Sequence, residues 1–190
     1  ALKNKYFKNE LCQTTLKDEV RSDTTLSKLS QLKSVFKKKG SVSAGNSSSL
    51  NDGAAFLALA SSDYVKANKI KPLAKILSWS SSAGNPDYMG VTPITAIQKL
   101  MKKMSVNISY FDLIEINEAF AATSVAVQRS LKIDPNKLNI AGGAIALGHP
   151  IGCSGTRILT TLAHQLKRTK LKFGVASMCI GGGQGLAMAI

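Results

Sequence analysis

Acidic residues, paired cysteines and long apolar runs are all scarce in this sequence of 190 residues. No window approaches about 18 uninterrupted apolar residues, so the sequence predicts no membrane-spanning helix. Cys12, Cys153 and Cys179 form no CxxC pair, which argues against a disulfide scaffold and favours free thiols in a reducing compartment. The start of the chain is polar and charged, without a signal peptide, and we expect the cytoplasm rather than the mitochondrion.

The shortage of acidic residues leaves a strongly basic chain. Only 11 acidic residues oppose 25 lysines and arginines, and the formal net charge is +14. Such a charge favours a nucleic acid, an acidic membrane or a phosphate-rich ligand, without choosing among them. A nucleic-acid binder would explain the charge, but the chain lacks the platform of aromatic and basic residues typical of that class. The alternative is that most lysines are solvated surface residues.

Hydrophobic periodicity divides the chain into three segments, and the 44% hydrophobic content is enough for a core. Residues 1–46 are polar and rich in lysine, with a short amphipathic helix predicted between Leu26 and Phe36. Residues 47–71 contain an apolar run and a short helix. Residues 72–190 alternate strands and helices. The predicted fold class is α/β, with the order βαβαβαββ and a mixed sheet that carries helices on both faces.

The individual elements are predicted as follows. The apolar run Ala54–Ala60 fits a strand or a buried helix, and Ser61 would begin a helix that continues to Lys69. Thr92 and Pro93 read as the N-cap and first turn of a further helix. The remaining predicted strands span residues 73–80, 111–116, 139–141, 172–179 and 186–190, and the remaining helices span residues 119–131 and 156–168.

Three stretches follow predicted strands at their carboxyl ends, where open α/β sheets collect ligands. The first is Asn117-Glu118-Ala119-Phe120. An amide in this position can fix a water or a carbonyl oxygen without changing the local charge. The alternative is that Asn117 and Glu118 only cap the helix that follows.

The second stretch is the glycine-rich segment 142–155, which runs into the start of a helix. Its glycines let the backbone approach a ligand closely, and the helix N-terminus favours negative charge. No Gly-Lys-Ser/Thr follows, so it is not a Walker A loop. His149, between Gly148 and Pro150, is better placed for chemistry than His164 in mid-helix, although a lone histidine is often structural.

The third stretch is Cys179-Ile180-Gly181-Gly182-Gly183-Gln184-Gly185. A thiol at a strand end can act as an acid, a base or a nucleophile, and the adjoining backbone amides can bind an oxyanion. The alternative is a buried structural cysteine in a glycine-rich hairpin. A dinucleotide site is excluded, because only five residues follow Gly185.

Together the three stretches resemble a known family. NEAFAA, GGAIALGHPIGCSG and CIGGGQG resemble, in order and spacing, the three C-terminal signatures of the thiolases. DEVRSDTTLSKLSQLKSVFKKKGSVSAGNSSSLNDGAA resembles their coenzyme-A-binding loop region, and YMGVTPITAI the segment that opens their C-terminal domain. The resemblance implies that residues 1–46 are the end of the loop region, residues 47–71 the last strand and helix of an N-terminal half, and residues 72–190 a complete C-terminal thiolase domain.

The resemblance also implies an activity of the acetyl-CoA acetyltransferase type. The reaction is the reversible Claisen condensation of two acetyl-CoA to acetoacetyl-CoA and CoA, or thiolysis of a 3-ketoacyl-CoA, with the thioester as substrate and no metal or other cofactor. His149 matches the base that forms the nucleophilic thiolate, and Cys179 the base that forms the carbanion. His149 with a water held by Asn117 resembles one oxyanion hole, and the Gly181 N–H contributes to the other. We therefore expect these residues to converge on one pocket.

Four further positions resemble those that bind coenzyme A. Arg21 matches a position near the adenine nucleotide. Ala44 and Ser48 match positions along the pantetheine arm, with Phe36 packed nearby. The phosphates of coenzyme A give part of the positive charge a specific explanation.

One departure from the family pattern is the absence of its nucleophilic cysteine, which neither Cys12 nor Cys153 matches. Together with a start at Ala1, this predicts a fragment that needs an N-terminal half, that is inactive alone, and whose parent is a homodimer or homotetramer. We expect no nucleic-acid or membrane partner. The alternatives are a non-catalytic acyl-CoA- or lipid-binding relative, in which a catalytic residue is expected to be lost, and a ketoacyl-ACP synthase, against which CIGGG argues.

Overall fold

The computed structural model describes residues 21–190, which form one four-stranded sheet with helices on both faces. Cys12 and the rest of the segment up to residue 20 lie outside the described residues. The strands are β1 (Ser78–Ala83), β2 (Leu113–Ile116), β3 (Gly174–Ile180) and β4 (Gln184–Ala189). The helices are α1 (Leu26–Ser30), α2 (Ser62–Ala67), α3 (Thr92–Met104), α4 (Ala121–Leu131), α5 (Ala144–Leu147) and α6 (Ile151–Thr169).

The sheet is mixed, as predicted, with the strand order β1-β4-β3-β2. β2 and β3 are parallel, whereas β4 pairs antiparallel with both β3 and β1. In this register Ile116 lies opposite Ser177, and Cys179 lies opposite Gly185. The carboxyl ends of β2 and β3 therefore meet at one edge of the sheet, which brings the residues after β2 close to the end of β3.

Each face of the sheet has its own apolar core because side chains alternate along a strand. On one face, Ile97 and Leu100 of α3 and Val127 of α4 pack with Val175 of β3. On the other face, α6 packs against Ala176 of β3, Leu113 at the start of β2 and Ile190 after β4. Burial of each such Leu or Ile side chain contributes about 1.5–3 kcal/mol. The α/β fold class with helices on both faces is confirmed.

The start of α3 differs in detail from the sequence expectation. Thr92 is the first residue of α3 and not its N-cap, which is Val91. The Thr92 hydroxyl lies 2.7 Å from the Met89 carbonyl oxygen and 2.6 Å from the Gln184 carbonyl oxygen. It therefore links the helix start to β4, a long-range contact that a local capping rule does not anticipate.

The predicted strand at Ala54–Ala60 is wrong, and so is its alternative as a buried helix. The segment is irregular, and Phe56 is 92% exposed. An apolar run forms a strand only with a neighbour to satisfy its backbone groups, and the described residues provide none here. The helix that follows is confirmed as α2, where the Ser61 hydroxyl accepts a hydrogen bond from the Tyr64 N–H, although α2 ends at Ala67.

A predicted strand at residues 139–141 is also absent from the described residues. A single bridge joins Ile114 to Leu138, and Asn139 adopts a left-handed conformation with φ of 48°. The Asn139 side chain takes the place of a neighbouring strand, since it accepts from the Ile116 N–H at 2.8 Å and donates to the Ile116 carbonyl at 3.0 Å. The strand predicted at residues 73–80 is displaced along the sequence, because the observed strand β1 begins only at Ser78 and ends at Ala83.

We expect Asn139→Gly to lower the free energy of unfolding by about 1–3 kcal/mol, because the N–H of the buried Ile116 loses its acceptor. Asn139→Ala should cost about 1–2 kcal/mol more, since alanine adds the strain of a left-handed conformation. Urea unfolding of both variants measures each contribution. Equal stability of the alanine and glycine variants would contradict the assigned backbone strain.

Among the helices that the structure describes, none combines the length and the apolar character needed to cross a bilayer.

Candidate active site

The structure brings Asn117 and His149 into direct contact. Asn117 follows β2, and its backbone N–H extends the ladder by donating to the Ser177 carbonyl at 3.0 Å. Its side chain is fully buried, and its Nδ2 lies 3.2 Å from Nε2 of His149. Asn117 does not cap α4, which has no side-chain cap. The amide therefore faces a histidine, as expected for a site and not for a helix cap.

His149 is held by the glycine-rich stretch and by the segment around residue 50. Its Nδ1 lies 2.5 Å from the Ser154 hydroxyl oxygen, and its backbone N–H donates to the Ser49 carbonyl. Gly148 has a φ of 99°, and a side chain there would collide with Asn51. Burial lowers the pKa of His149, and the positive charge of Arg157 lowers it further. The imidazole is thereby kept neutral and able to accept a proton.

Helix α6 begins five residues before the predicted start, and its first two turns supply two polar groups to the site. Ser154 is fully buried behind the His149 ring. Arg157 donates from Nη2 to Oδ1 of Asn117 at 3.3 Å. Sequence reasoning missed both residues. The signal available was their spacing of three on one face of a helix that starts directly after His149.

Cys179 lies near the end of β3 and is 6% exposed. Burial raises the pKa of the Cys179 thiol, and a hydrogen bond to its own backbone and one with the Thr123 hydroxyl partly oppose that rise. The thiol is therefore protonated at rest and can give up its proton only to a suitable partner. Thr123, in the first turn of α4, is a further site residue that the sequence reasoning did not identify.

Gly181 opens the tight turn between β3 and β4. The space where its side chain would project contains no atom within 4 Å. Gly182 and Gly183 have left-handed φ values of 83° and 84°, and a side chain on Gly183 would collide with the Gly84 carbonyl. These glycines shape the turn and leave the Gly181 backbone exposed.

Two of the four candidate coenzyme-A positions lie against the Asn117 stretch. The backbone N–H and the hydroxyl of Ser48 both donate to the Ala119 carbonyl, at 3.1 and 3.0 Å. The Phe36 ring packs edge-on against Phe120 with centroids 6.1 Å apart. Ala44 and Arg21 lie on the surface.

Glu118 joins the Asn117 stretch to the glycine-rich stretch. Its carboxylate accepts from Asn139 Nδ2 at 3.0 Å and from the Ile145 N–H at 3.2 Å. A side chain on Gly143 would collide with this carboxylate. Glu118 therefore fixes the loop before His149. It does not cap α4, so the alternative that Asn117 and Glu118 only cap this helix is wrong for Glu118 as well.

Glu115 is a buried carboxyl group beneath the site, 2% exposed, with no hydrogen-bond partner for Oε2. Burial raises its pKa from 4.5 to about 7, although the positive charge of Arg157 opposes the rise. Between these two pH values the folded chain holds a proton that the unfolded chain has released. The contribution of Glu115 to stability therefore falls as pH rises through this window and is level above it.

We expect the wild-type chain to lose up to about 3 kcal/mol of unfolding free energy between pH 4.5 and 7 through this group. Glu115→Gln should remove that part of the pH dependence. Urea unfolding at several pH values compares the two proteins. The same decline in both would show that another group is responsible.

Within residues 21–190, no group of three or more His, Cys, Asp and Glu side chains is placed to hold a metal ion.

Comparison with known families and proteins agrees with this geometry. The family described as "Thiolase, C-terminal domain" matches residues 70–190, and "Thiolase, N-terminal domain" matches residues 1–63. The chain belongs to the thiolase family. The three stretches that contain Asn117, His149 and Cys179 all lie within the part matched to the C-terminal thiolase domain.

Several relatives and solved structures are similar to this thiolase chain over most of its length. The mitochondrial 3-ketoacyl-CoA thiolase of Mus musculus is 48% identical over 94% of the chain and 45% of its own length. A probable acetyl-CoA acyltransferase of Staphylococcus aureus is 46% identical over 96% of the chain and 46% of its own length. The chain thus spans less than half the length of these relatives.

The crystal structure of the Bacillus anthracis acetyl-CoA acetyltransferase matches with a TM-score of 0.89 and 48% identity, over 91% of this chain and 44% of that chain. The human mitochondrial 3-ketoacyl-CoA thiolase matches with a TM-score of 0.84 and 45% identity, over 90% of this chain and 44% of that chain. The thiolase-like fold expected from the sequence is confirmed.

Proposed function

We propose that this chain supplies the acid–base half of a thiolase that interconverts two acetyl-CoA with acetoacetyl-CoA and CoA. The observation that carries the proposal is the contact between Asn117 Nδ2 and His149 Nε2. Asn117 follows β2 at the sheet edge where the parallel strand β3, which contains Cys179, also ends. An amide, a neutral imidazole and a buried thiol at one edge meet the needs of Claisen chemistry: two proton acceptors and donors for an oxyanion.

In this proposal His149 takes the proton from a nucleophilic cysteine that then accepts the acyl group. The lowered pKa of His149 keeps the ring neutral and able to do so. Cys179 gives its resting proton to the coenzyme A thiolate that leaves the first substrate. As a thiolate it then removes the proton next to the thioester of the second substrate, and the resulting carbanion attacks the acyl group while His149 returns its proton to the departing nucleophilic cysteine. Gly181, in the turn after Cys179, offers its N–H to the thioester oxygen that becomes negative.

The nucleophile itself is assigned to a polypeptide segment other than the described residues. Cys153 and Cys179 are the free cysteines there, and both are buried. Cys153 Sγ lies beside Gly53, and Cys153 does not match the nucleophile position of the family. We therefore propose that the 190 residues act together with an N-terminal thiolase half, in a homodimer or homotetramer of the parent protein.

Coenzyme A is the proposed ligand of the surface formed by Phe36, Ala44 and Ser48, with Arg21 near its phosphates. Contacts from Phe36 and Ser48 to the Asn117 stretch support this surface, because they tie it to the catalytic edge. The human relative has been crystallised in complex with CoA. The acetyl preference is supported by the similar structure titled acetyl-CoA acetyltransferase, while another relative is named 3-ketoacyl-CoA thiolase.

A chimera tests the proposal. The 190 residues replace the matching segment of the Bacillus anthracis acetyl-CoA acetyltransferase, whose backbone is closely similar. The chimera should cleave acetoacetyl-CoA in the presence of CoA, and a longer 3-ketoacyl-CoA measures chain-length preference. His149→Ala should abolish turnover, whereas the matched control His164→Ala, on an exposed helix position, should not. A chimera that binds CoA without turnover would favour the non-catalytic alternative.

A further inference from the structure

Arg157 is a charged side chain close to the site for which the proposed reaction assigns no step. It is partly buried on α6, and its Nη2 donates to Oδ1 of Asn117 at 3.3 Å. A guanidinium carries five N–H donors and no acceptor, so only the oxygen of the Asn117 amide can face it. The orientation of the amide is therefore dictated by its partner.

The orientation of the amide determines the proton on His149. With Oδ1 turned to Arg157, Nδ2 is the atom that faces His149 Nε2 at 3.2 Å. Nδ2 can only donate, so Nε2 must be the unprotonated nitrogen of the neutral ring. The ring proton is then on Nδ1, which donates to the Ser154 hydroxyl oxygen, and that hydroxyl donates to the Pro150 carbonyl at 3.0 Å.

The geometry points to Arg157 as a positioning residue that, through the Asn117 amide, holds His149 as the Nδ1–H tautomer with an unprotonated Nε2. This inference rests on the proposed role of His149 as a base. If Asn117 turned its oxygen to the ring, Nε2 would be protonated and unable to accept a proton. Arg157 thus excludes the unreactive tautomer without touching the substrate.

The surroundings of Arg157 fit a fixed cation at this place. Its Nη1 is buried without a hydrogen-bond partner, as is Oε2 of Glu115 in β2. Arg157 opposes the rise in the pKa of Glu115, so the guanidinium attracts the ionised fraction of that carboxyl group. Arg157 from α6 is the charged group that shifts the pKa of His149.

Histidine NMR on the 190-residue chain tests the inference without any activity assay. The chain contains two histidines, so 15N-histidine labelling gives one signal set for His149 and one for His164. Wild type should show the Nδ1–H tautomer for His149. Arg157→Gln should add the Nε2–H form and raise the pKa of His149, since a cation is removed, while His164 stays unchanged. Arg157→Lys, which keeps a donor-only cation, should retain the Nδ1–H form.

Two further variants control the experiment. Arg168→Gln removes an arginine from the far end of the same helix, where it contacts Gln165, and should leave His149 unchanged. Asn117→Asp presents an oxygen to Nε2 and should force the Nε2–H tautomer. This second variant keeps the inference testable should Arg157→Gln fail to fold. A His149 tautomer unaffected by Arg157→Gln, or by Asn117→Asp, would overturn it.

Kinetics of the chimera separate the inference from the proposed function. Arg157→Gln should lower kcat about tenfold to a hundredfold with little change in KM, because the base is misplaced while the binding surface is intact. An active chimera in which kcat survives Arg157→Gln would overturn the inference alone. An inactive chimera whose His149 tautomer still follows Arg157 would refute the proposed function and leave the positioning role standing.

Discussion

Cys179→Ala in the chimeric thiolase is expected to abolish condensation of acetyl-CoA while leaving CoA binding unchanged. In the proposed reaction the Cys179 thiolate, formed when the thiol protonates the leaving coenzyme A, removes a proton from the second substrate and makes no contact needed to hold CoA. A positioned acid or base contributes typically about 10²–10⁴-fold to a rate, so the loss should be at least of that order. Formation of the acyl-enzyme should survive, because His149 activates the nucleophile for that step and the leaving coenzyme A thiolate can take a proton from water.

Cys153→Ala is the matched control for this prediction. Cys153 and Cys179 are both free and buried, with 8% and 6% of their surface exposed. Each substitution removes one thiol from a packed environment, so a general effect on stability should appear in both variants. Turnover, CoA affinity by calorimetry and acyl adducts by mass spectrometry are measured for each. An equal loss of CoA binding and turnover in Cys179→Ala would identify the residue as structural.

Local sequence patterns predicted the elements whose cause is local. Apolar residues at helical spacing located α3 and α6, and a nearly all-apolar run located α4. The strands predicted at residues 172–179 and 186–190, on either side of a glycine-rich turn, lie close to the observed β3 and β4. The same reasoning placed Asn117 after β2 and Cys179 at the end of β3, and the parallel pairing of these strands brings both residues to one sheet edge. Both became candidates because strand ends leave polar groups free to face a ligand.

Elements that depend on distant partners could not be predicted. The apolar run at residues 54–60 has the composition of a strand, but no neighbouring strand is present in the described part of the chain. Asn139 replaces a strand with its side chain, and only the fold reveals that Ile116 lies beside it. The contacts of Ser154 with His149 and of Arg157 with Asn117 become visible only when the position of α6 in the fold is known. Residue type alone does not distinguish them from solvated helix positions.

The segment from residue 54 to residue 60 also changes what is expected of the isolated chain. Because it is not a strand, it offers no unpaired sheet edge. Its apolar surface nevertheless stays exposed, with Phe56 at 92% and Leu59 at 75%. We therefore expect the 190-residue chain to self-associate, or to be stabilised by a nucleophile-bearing half that covers this surface.

The 190-residue chain alone is expected to have no thiolase activity, although Asn117, His149 and Cys179 are all in place. His149 and Cys179 are proposed as bases that serve a separate nucleophile, and without a covalent acyl intermediate the reaction has no first step. Residues that act as a unit fail together, so a partial rate is not expected either. The purified chain is given acetoacetyl-CoA and CoA, with the active chimera as control, and mass spectrometry follows acyl transfer. Turnover above background, or an acyl group on Cys12, Cys153 or Cys179, would mean that a thiol of this chain attacks thioesters. The division of labour between base and nucleophile would then have to be reassigned within these residues.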